Sequence, residues 1–191
     1  RFAKWEEILE EPEPYELFAI ARAIWHYGRG VAHAALGDRE AALVELAAIE
    51  ALEPQVDEIF MGNVYPARDL LEIAKSLLRG EMAYRAGDAA NAVFAFEAAV
   101  ALQDALPYTE PPFWYYPTRQ SLGAALLAIG HVAEAQAVFE EDLEQYPMNG
   151  WSMFGLAEAL RLQGDEAGAA QMSARFETVW QFADVSLATS I

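Results

Sequence analysis

The chain has 191 residues, 54% of them hydrophobic, which is enough apolar material to fold around its own core. Its formal net charge of -18 argues against a nucleic-acid partner, because binding to phosphates relies on clustered Lys and Arg. Cysteine is absent, which excludes disulfides, thiolate metal sites and a cysteine nucleophile. The negative charge either serves solubility or attracts a basic partner.

Residues 1–13 show the helical spacing of apolar side chains until Pro12 interrupts it. We interpret this segment as a half-repeat of a longer array, so the true N-terminus is expected upstream of Arg1. A helix is then predicted from about Tyr15 to Leu36, and a second helix from Asp38 to about Leu52.

Four segments share one spacing: a small residue, a turn glycine seven positions later and an alanine five positions after that. These residues are Gly30, Gly37 and Ala42; Gly80, Gly87 and Ala92; Gly123, Gly130 and Ala135; and Ala157, Gly164 and Ala169. We expect the first residue to meet the small alanine of its partner helix, where a larger side chain would push the helices apart. The turn glycine is expected to end a helix with a positive φ.

The third and fourth segments are 34 residues apart, and this period of helix-turn-helix units resembles the tetratricopeptide repeat (TPR). The resemblance implies an all-α fold, an α-solenoid of antiparallel helix pairs wound as a right-handed superhelix in a single domain over residues 1–191. The half-repeat at 1–13 is followed by repeats at about 15–56, 66–106, 116–149 and 150–183. The stretch 113–123 is similar to the C-terminal repeat array of larger bacterial TPR proteins.

Residues 104–117 separate the second and third repeats and contain four prolines and five aromatic residues, so they cannot form a helix. Loops of this length are often functional. The aromatic side chains either fill a wedge between the second and third repeats, which we favour, or form one wall of a binding groove. Both interpretations bury Trp114 at least in part. The loop candidates are Phe113, Trp114, Tyr115 and Tyr116.

TPR proteins are mostly non-catalytic adaptors whose concave surface holds a peptide, a helix or another protein. The Lys, Asn and Arg clamp that some of them use for a C-terminal carboxylate is absent from the groove positions here. The resemblance instead places aromatic and charged side chains in the groove: Tyr27, Glu81, Tyr84, Arg85, Gln120, Trp151, Phe154, Glu158 and Arg161. This set suits a peptide or helix with apolar anchors. Packing of Trp151 and Phe154 against the neighbouring repeat explains these two residues equally well.

No metal, cofactor or catalytic site is predicted. His26 and His33 lie two helical turns apart, about 10 Å along the axis, so they cannot share one metal ion directly. Each is interpreted as a satisfied core or surface histidine. The acidic run from Glu140 to Glu144 is interpreted as a solvated helix face. The chain has no G-x-S-x-G, P-loop or H-E-x-x-H motif, so we do not expect an enzyme.

The preferred hypothesis is a protein-binding or peptide-binding scaffold that uses the concave face of the repeats. The alternative is a structural C-terminal portion of a larger enzyme or sensor whose chemistry lies upstream. Self-association through the ends of the array is a third, weaker hypothesis. No apolar run is long enough to insert into a membrane. No signal peptide is visible, but its absence says little about localisation because the true N-terminus is expected upstream of Arg1. The compartment is left open, with the cytoplasm favoured.

Overall fold

The computed structural model describes residues 4–56, 59–60, 63–187 and 189. Residues 1–3 of the predicted half-repeat lie outside this description. The chain divides into two compact units, Lys4–Tyr115 and Tyr116–Ile191. The first unit contains α1 (Trp5–Glu10), α2 (Ala19–Ala35), α3 (Arg39–Leu52), α4 (Ala67–Arg85) and α5 (Ala89–Asp104). The second contains α6 (Arg119–Ala128), α7 (Val132–Gln145), α8 (Gly150–Leu162) and α9 (Glu166–Trp180).

Consecutive helices form the pairs that the repeat spacing predicts. In the first unit α2 packs on α3 and α4 packs on α5, and α2 also contacts α4 across the repeat boundary. In the second unit α6 packs on α7 and α8 packs on α9. The predicted all-α class of helix pairs is therefore confirmed.

The turn within each pair is built from a glycine with a positive φ, as the sequence predicts. Gly37, Gly87, Gly130 and Gly164 have φ angles between 77° and 84°, a region that other residues reach only at a cost of about 1–2 kcal/mol. After three of these glycines an aspartate caps the second helix. The Asp38 side chain, for example, accepts a hydrogen bond from the Ala41 amide.

Gly80 and Gly123 of the first helices leave space for aromatic rings of their partner helices rather than for the alanines that we expected there. A Cβ on Gly123 would clash with three atoms of the Phe139 ring, the farthest of which, Cδ1, would lie only 2.9 Å away. Gly80 faces Phe96 in the same way. Both phenylalanines are fully buried. The prediction that glycine meets alanine was therefore wrong, since the ring needs the space that the missing side chain leaves.

Gly30 departs from this pattern. A Cβ placed there would come within 3.0 Å of both terminal methyl groups of Leu78 on α4, so the missing side chain leaves space for the first helix of the next repeat. The closest atom of the partner helix α3 is Glu45 Cβ, which lies 3.4 Å from the same position.

The structure differs from the predicted elements in two places. The helix expected from about Tyr15 begins at Ala19, because the Phe18 amide bonds to the Tyr15 carbonyl in a turn that precedes the helix. The connection between α3 and α4 also contains two short antiparallel strands, β1 (Ile59–Phe60) and β2 (Asn63–Val64), which helical periodicity cannot predict.

Candidate partner-binding site

Tyr27, the first predicted groove residue, is covered by the aromatic loop of its own chain. The Tyr27 ring meets the Trp114 ring edge to face at a centroid distance of 5.6 Å, and only 3% of the Trp114 surface is exposed. Such pairs contribute about 0.5–1.5 kcal/mol beyond the area that they bury. Trp114 is thus buried, as both interpretations of the loop required, and it buries Tyr27 as well.

Among the other aromatic residues of the loop, some are partly buried and one is largely exposed. Phe113 is partly buried and meets Tyr65, which precedes α4, at a centroid distance of 5.5 Å. Tyr115 contacts Trp114 but remains largely exposed, whereas Tyr116 is partly buried. In the first unit the loop therefore packs back onto the segment before α4 and onto α2.

Glu81, Tyr84 and Arg85 lie together on the last turns of α4, and we call them the α4 face. Glu81 and Tyr84 are partly buried and Arg85 is exposed. Arg85 Nε lies 3.3 Å from Glu81 Oε2. Burial raises the pKa of the Glu81 carboxyl, and the charge and hydrogen bond of Arg85 oppose that shift. The α4 face thus presents an aromatic side chain beside a charged pair.

Gln120 is buried in a polar network of the second unit. Asn149 donates from Nδ2 to Gln120 Oε1 at 3.2 Å and to Asp142 Oδ2 at 2.7 Å. The Ser152 hydroxyl also donates to Asp142 Oδ2, at 2.6 Å. Asn149 Oδ1 accepts from the Trp151 amide and so caps α8. Gln120 is therefore engaged in joining α6, α7 and the start of α8.

Asp142 corrects the interpretation of the acidic run as a solvated face. Its side chain is fully buried, and its second oxygen, Oδ1, has no hydrogen-bond partner among the described residues. Burial raises the pKa of the Asp142 carboxyl, against the opposing effect of the Ser152 and Asn149 hydrogen bonds. Glu140, Glu141 and Glu144 are exposed as expected. The Asn before α8 is a signal for the start of that helix, but it does not indicate which side chains of α6 and α7 it meets.

Trp151 and Phe154 pack against the partner helix of their own repeat. The Trp151 ring meets Trp180 at 4.6 Å and an angle of 83°, and Phe154 meets Phe176 at 5.6 Å. Phe176 and Trp180 stack on each other at 5.3 Å. The two candidates thus form one aromatic cluster between α8 and α9. Phe154 keeps partial exposure, whereas Trp151 is buried.

Glu158 and Arg161 form an ion pair on the last turns of α8. Glu158 is partly buried and Arg161 is exposed. We call these two residues the α8 face.

Sequence reasoning missed a buried ionic cluster in the first repeat. Glu45 on α3 is buried and accepts hydrogen bonds from Arg29 Nε at 2.7 Å and from His26 Nδ1 at 2.5 Å, while His33 Nε2 lies 3.8 Å away. A charged pair that is removed from water needs such additional partners. His26 is therefore a satisfied histidine, as interpreted from the sequence, whereas His33 lies near the same carboxylate without a hydrogen bond to it. The cluster joins α2 to α3.

Among the residues that the structure describes, no group of three or more His, Asp or Glu side chains is arranged to hold a metal ion. Within the same ranges, no helix has the length and apolar character needed to cross a membrane.

The sequence matches no protein-family model and no curated protein. A solved structure from Podosopora anserina, described as a putative kinesin light chain with nearly identical TPR-like repeats, is similar to this chain. The match has 19% identity and a TM-score of 0.55, and it covers 87% of this chain and 78% of the other. The chain has a TPR-like repeat fold. At this identity the similarity extends to the fold alone.

In this TPR-like chain, the α4 face and the α8 face occupy corresponding positions. Glu81 follows Gly80, and Glu158 follows Ala157, which is the small residue at the same place in the fourth repeat. Each glutamate pairs with an arginine about one turn later, Arg85 or Arg161. The third repeat carries Ala124 after Gly123, so it lacks the pair. The glutamate thus recurs at one position in two of the four repeats, whereas its arginine partner follows by four residues in the second repeat and by three in the fourth.

Proposed function

We propose that this chain is a protein-binding scaffold, and that the α4 face and the α8 face each contact a peptide or helical segment of the partner. The single observation that carries the proposal is the recurrence of a glutamate at one repeat position of the first helices, each time paired with an arginine about one turn later. Exposed ion pairs such as Glu158–Arg161 contribute only about 0–1 kcal/mol to stability. The placement of this pair is therefore better explained by recognition than by folding.

The chemistry of the α4 face indicates what it would bind. Tyr84 offers an apolar ring with a polar tip, and rings of this kind are enriched among the residues that dominate binding energy. Arg85 is exposed and donates in a planar geometry that suits a carboxylate or a backbone carbonyl. A partner segment with an apolar anchor beside polar groups fits both features. Tyr27 and Trp114 are packed core, so we do not expect them to contact the partner.

The experiment is site-specific photo-crosslinking in extracts of cells that express the protein. A benzophenone amino acid replaces Tyr84 in one variant and Phe94 in the matched control, since Phe94 is an exposed aromatic residue on α5. We expect a defined partner to crosslink at position 84 and not at position 94. Equal crosslinking at both positions would contradict the proposal. Crosslinks to an upstream domain of the same polypeptide would instead favour a structural role within a larger enzyme or sensor.

A charge variant completes the test. Arg85→Ala is expected to weaken capture of the crosslinked partner about tenfold, which corresponds to ~1.4 kcal/mol. Arg39→Ala removes the same charge at an exposed position of α3 and serves as the control. If both variants weaken capture equally, the effect comes from net charge and the α4 face is not the contact.

A further inference from the structure

The turn that precedes α2 exposes three large apolar side chains, Tyr15, Leu17 and Phe18, with 64%, 76% and 55% of their surfaces accessible. The rings of Tyr15 and Phe18 lie 6.3 Å apart between centroids, and Leu17 adjoins Phe18 in the sequence. We call these three residues the Tyr15–Phe18 patch. Contiguous exposed apolar surface with a polar rim typically marks an interaction site.

The segment that leads into this patch is held firmly against α2. Trp25 Nε1 donates to the Glu11 carbonyl at 3.0 Å, Arg29 Nη1 donates to the Leu9 carbonyl at 2.9 Å, and Arg22 Nε donates to Glu13 at 2.6 Å. The Phe18 amide closes the turn by donating to the Tyr15 carbonyl at 3.0 Å. A surface that is ordered before binding loses less conformational entropy when a partner arrives.

The sequence on either side of the patch residues is strongly acidic, and we call these carboxylates the acidic rim. Residues 4–18 contain six glutamates and one lysine, and all six glutamates are exposed: Glu6, Glu7, Glu10, Glu11, Glu13 and Glu16. Two of them have cationic partners within the chain, since Glu7 pairs with Lys4 and Glu13 pairs with Arg22. Exposed carboxylates around an apolar centre favour a ligand with apolar anchors and flanking positive charge. The net charge of -18 also attracts positively charged ligands from beyond contact distance.

We propose that the Tyr15–Phe18 patch docks a basic amphipathic helix, whose apolar residues cover Leu17 and Phe18 and whose Lys or Arg side chains meet the surrounding glutamates. A second copy of this chain would bring the same carboxylates against each other, and an anionic membrane surface would be repelled. The basic helix is therefore the occupant that the charges favour. This inference concerns a different surface from the α4 and α8 faces and does not rest on the proposed function.

The test uses fluorescence anisotropy with synthetic peptides of about 18 residues, or five helical turns. The probe carries Leu and Phe at helical i, i+3, i+4 and i+7 spacing among lysines. One control peptide replaces these anchors with serine and keeps the charge, and the other replaces lysine with glutamate and keeps the anchors. We expect saturable binding of the probe alone, weakened by added salt. Equal binding of the probe and the serine peptide would overturn the proposal, since it would show general attraction to a polyanion.

Protein variants locate the binding site. Leu17→Ser combined with Phe18→Ser is expected to reduce affinity for the probe about tenfold or more. Phe94→Ser is the matched control at an exposed aromatic position elsewhere, and it should bind as the parent protein does. Circular dichroism should show equal helix content for all variants, because the changed side chains are exposed. Unchanged affinity in the double variant would overturn the proposal.

Two further measurements address the charges and the alternative occupant. Glu11→Gln combined with Glu16→Gln should weaken binding of the probe and flatten its salt dependence, whereas unchanged binding and salt dependence would contradict the acidic rim. Sedimentation of the parent protein and the Leu17→Ser, Phe18→Ser variant tests self-association. If the parent dimerises through this patch and the variant does not, the occupant is a second copy and the proposal is wrong.

Discussion

The effect of Gly123→Ala on stability should depend on residue 139. The substitution should destabilise the protein when residue 139 is phenylalanine and stabilise it when residue 139 is alanine. In the parent protein, the added methyl group would overlap the fully buried Phe139 ring, with even Cδ1 at 2.9 Å. Carbon atoms normally approach no closer than about 3.5 Å, so the ring must move through a packed core. Overpacking of this kind costs about 1–3 kcal/mol and occasionally more.

Two opposing contributions set the expected magnitude. Alanine gains about 1 kcal/mol over glycine within a helix, so Gly123→Ala should destabilise the parent by a net amount of up to about 2 kcal/mol. In a Phe139→Ala background, which itself costs about 3–5 kcal/mol, the overlap disappears. There Gly123→Ala should stabilise by about 0.5–1 kcal/mol. Gly123→Leu should destabilise the parent by several kcal/mol, more than the alanine variant does, because it introduces a larger overlap.

Urea denaturation of the four proteins of this cycle, followed by far-UV circular dichroism, measures the reversal. Gly130→Ala is the control, since no described atom lies within 4 Å of its Cβ position while its φ is +79°. That variant should cost about 1–2 kcal/mol in both backgrounds. If Gly123→Ala has the same sign with and without the Phe139 ring, the packing argument is refuted.

Three further predictions follow from burial and charge. Trp114→Ala should lower the free energy of unfolding by about 3–5 kcal/mol because the side chain is buried, while the largely exposed Tyr115→Ala should change it little; equal effects in urea melts would refute the assignment of Trp114 to the core. Burial raises the pKa of Asp142, so the folded state binds this proton more tightly than the unfolded state does. The parent should therefore lose stability relative to Asp142→Asn as pH rises from the ordinary value of 3.8 through the raised pKa, and a difference independent of pH in denaturation series would be contrary evidence. Finally, a net charge of -18 should prevent tight binding to DNA or RNA at physiological salt, which gel-shift assays can check.

The sequence alone determined the local features of this fold. Gly37, Gly87, Gly130 and Gly164 could be assigned to turns because a positive φ is a property of one residue and its immediate neighbours. Their regular spacing from the small residues of the first helices then indicated helix pairs. The second repeat was likewise placed from about residue 66, and its first helix, α4, begins at Ala67 just after Pro66. These signals depend on the backbone of a few consecutive residues, so they can be recognised without knowing what packs around them.

Only the tertiary structure decided which surfaces these helices bury. Trp114 meets Tyr27 across 87 positions of sequence, and Trp151 meets Trp180 across 29. Asp142 is buried among three exposed glutamates because its helix position faces Asn149 and Ser152. Helical periodicity gives the direction of a side chain on its own helix, but it carries no information about which element packs against that side chain. The candidate residues could therefore be placed on helices from the sequence, whereas their division into core and exposed faces required the packing of distant segments.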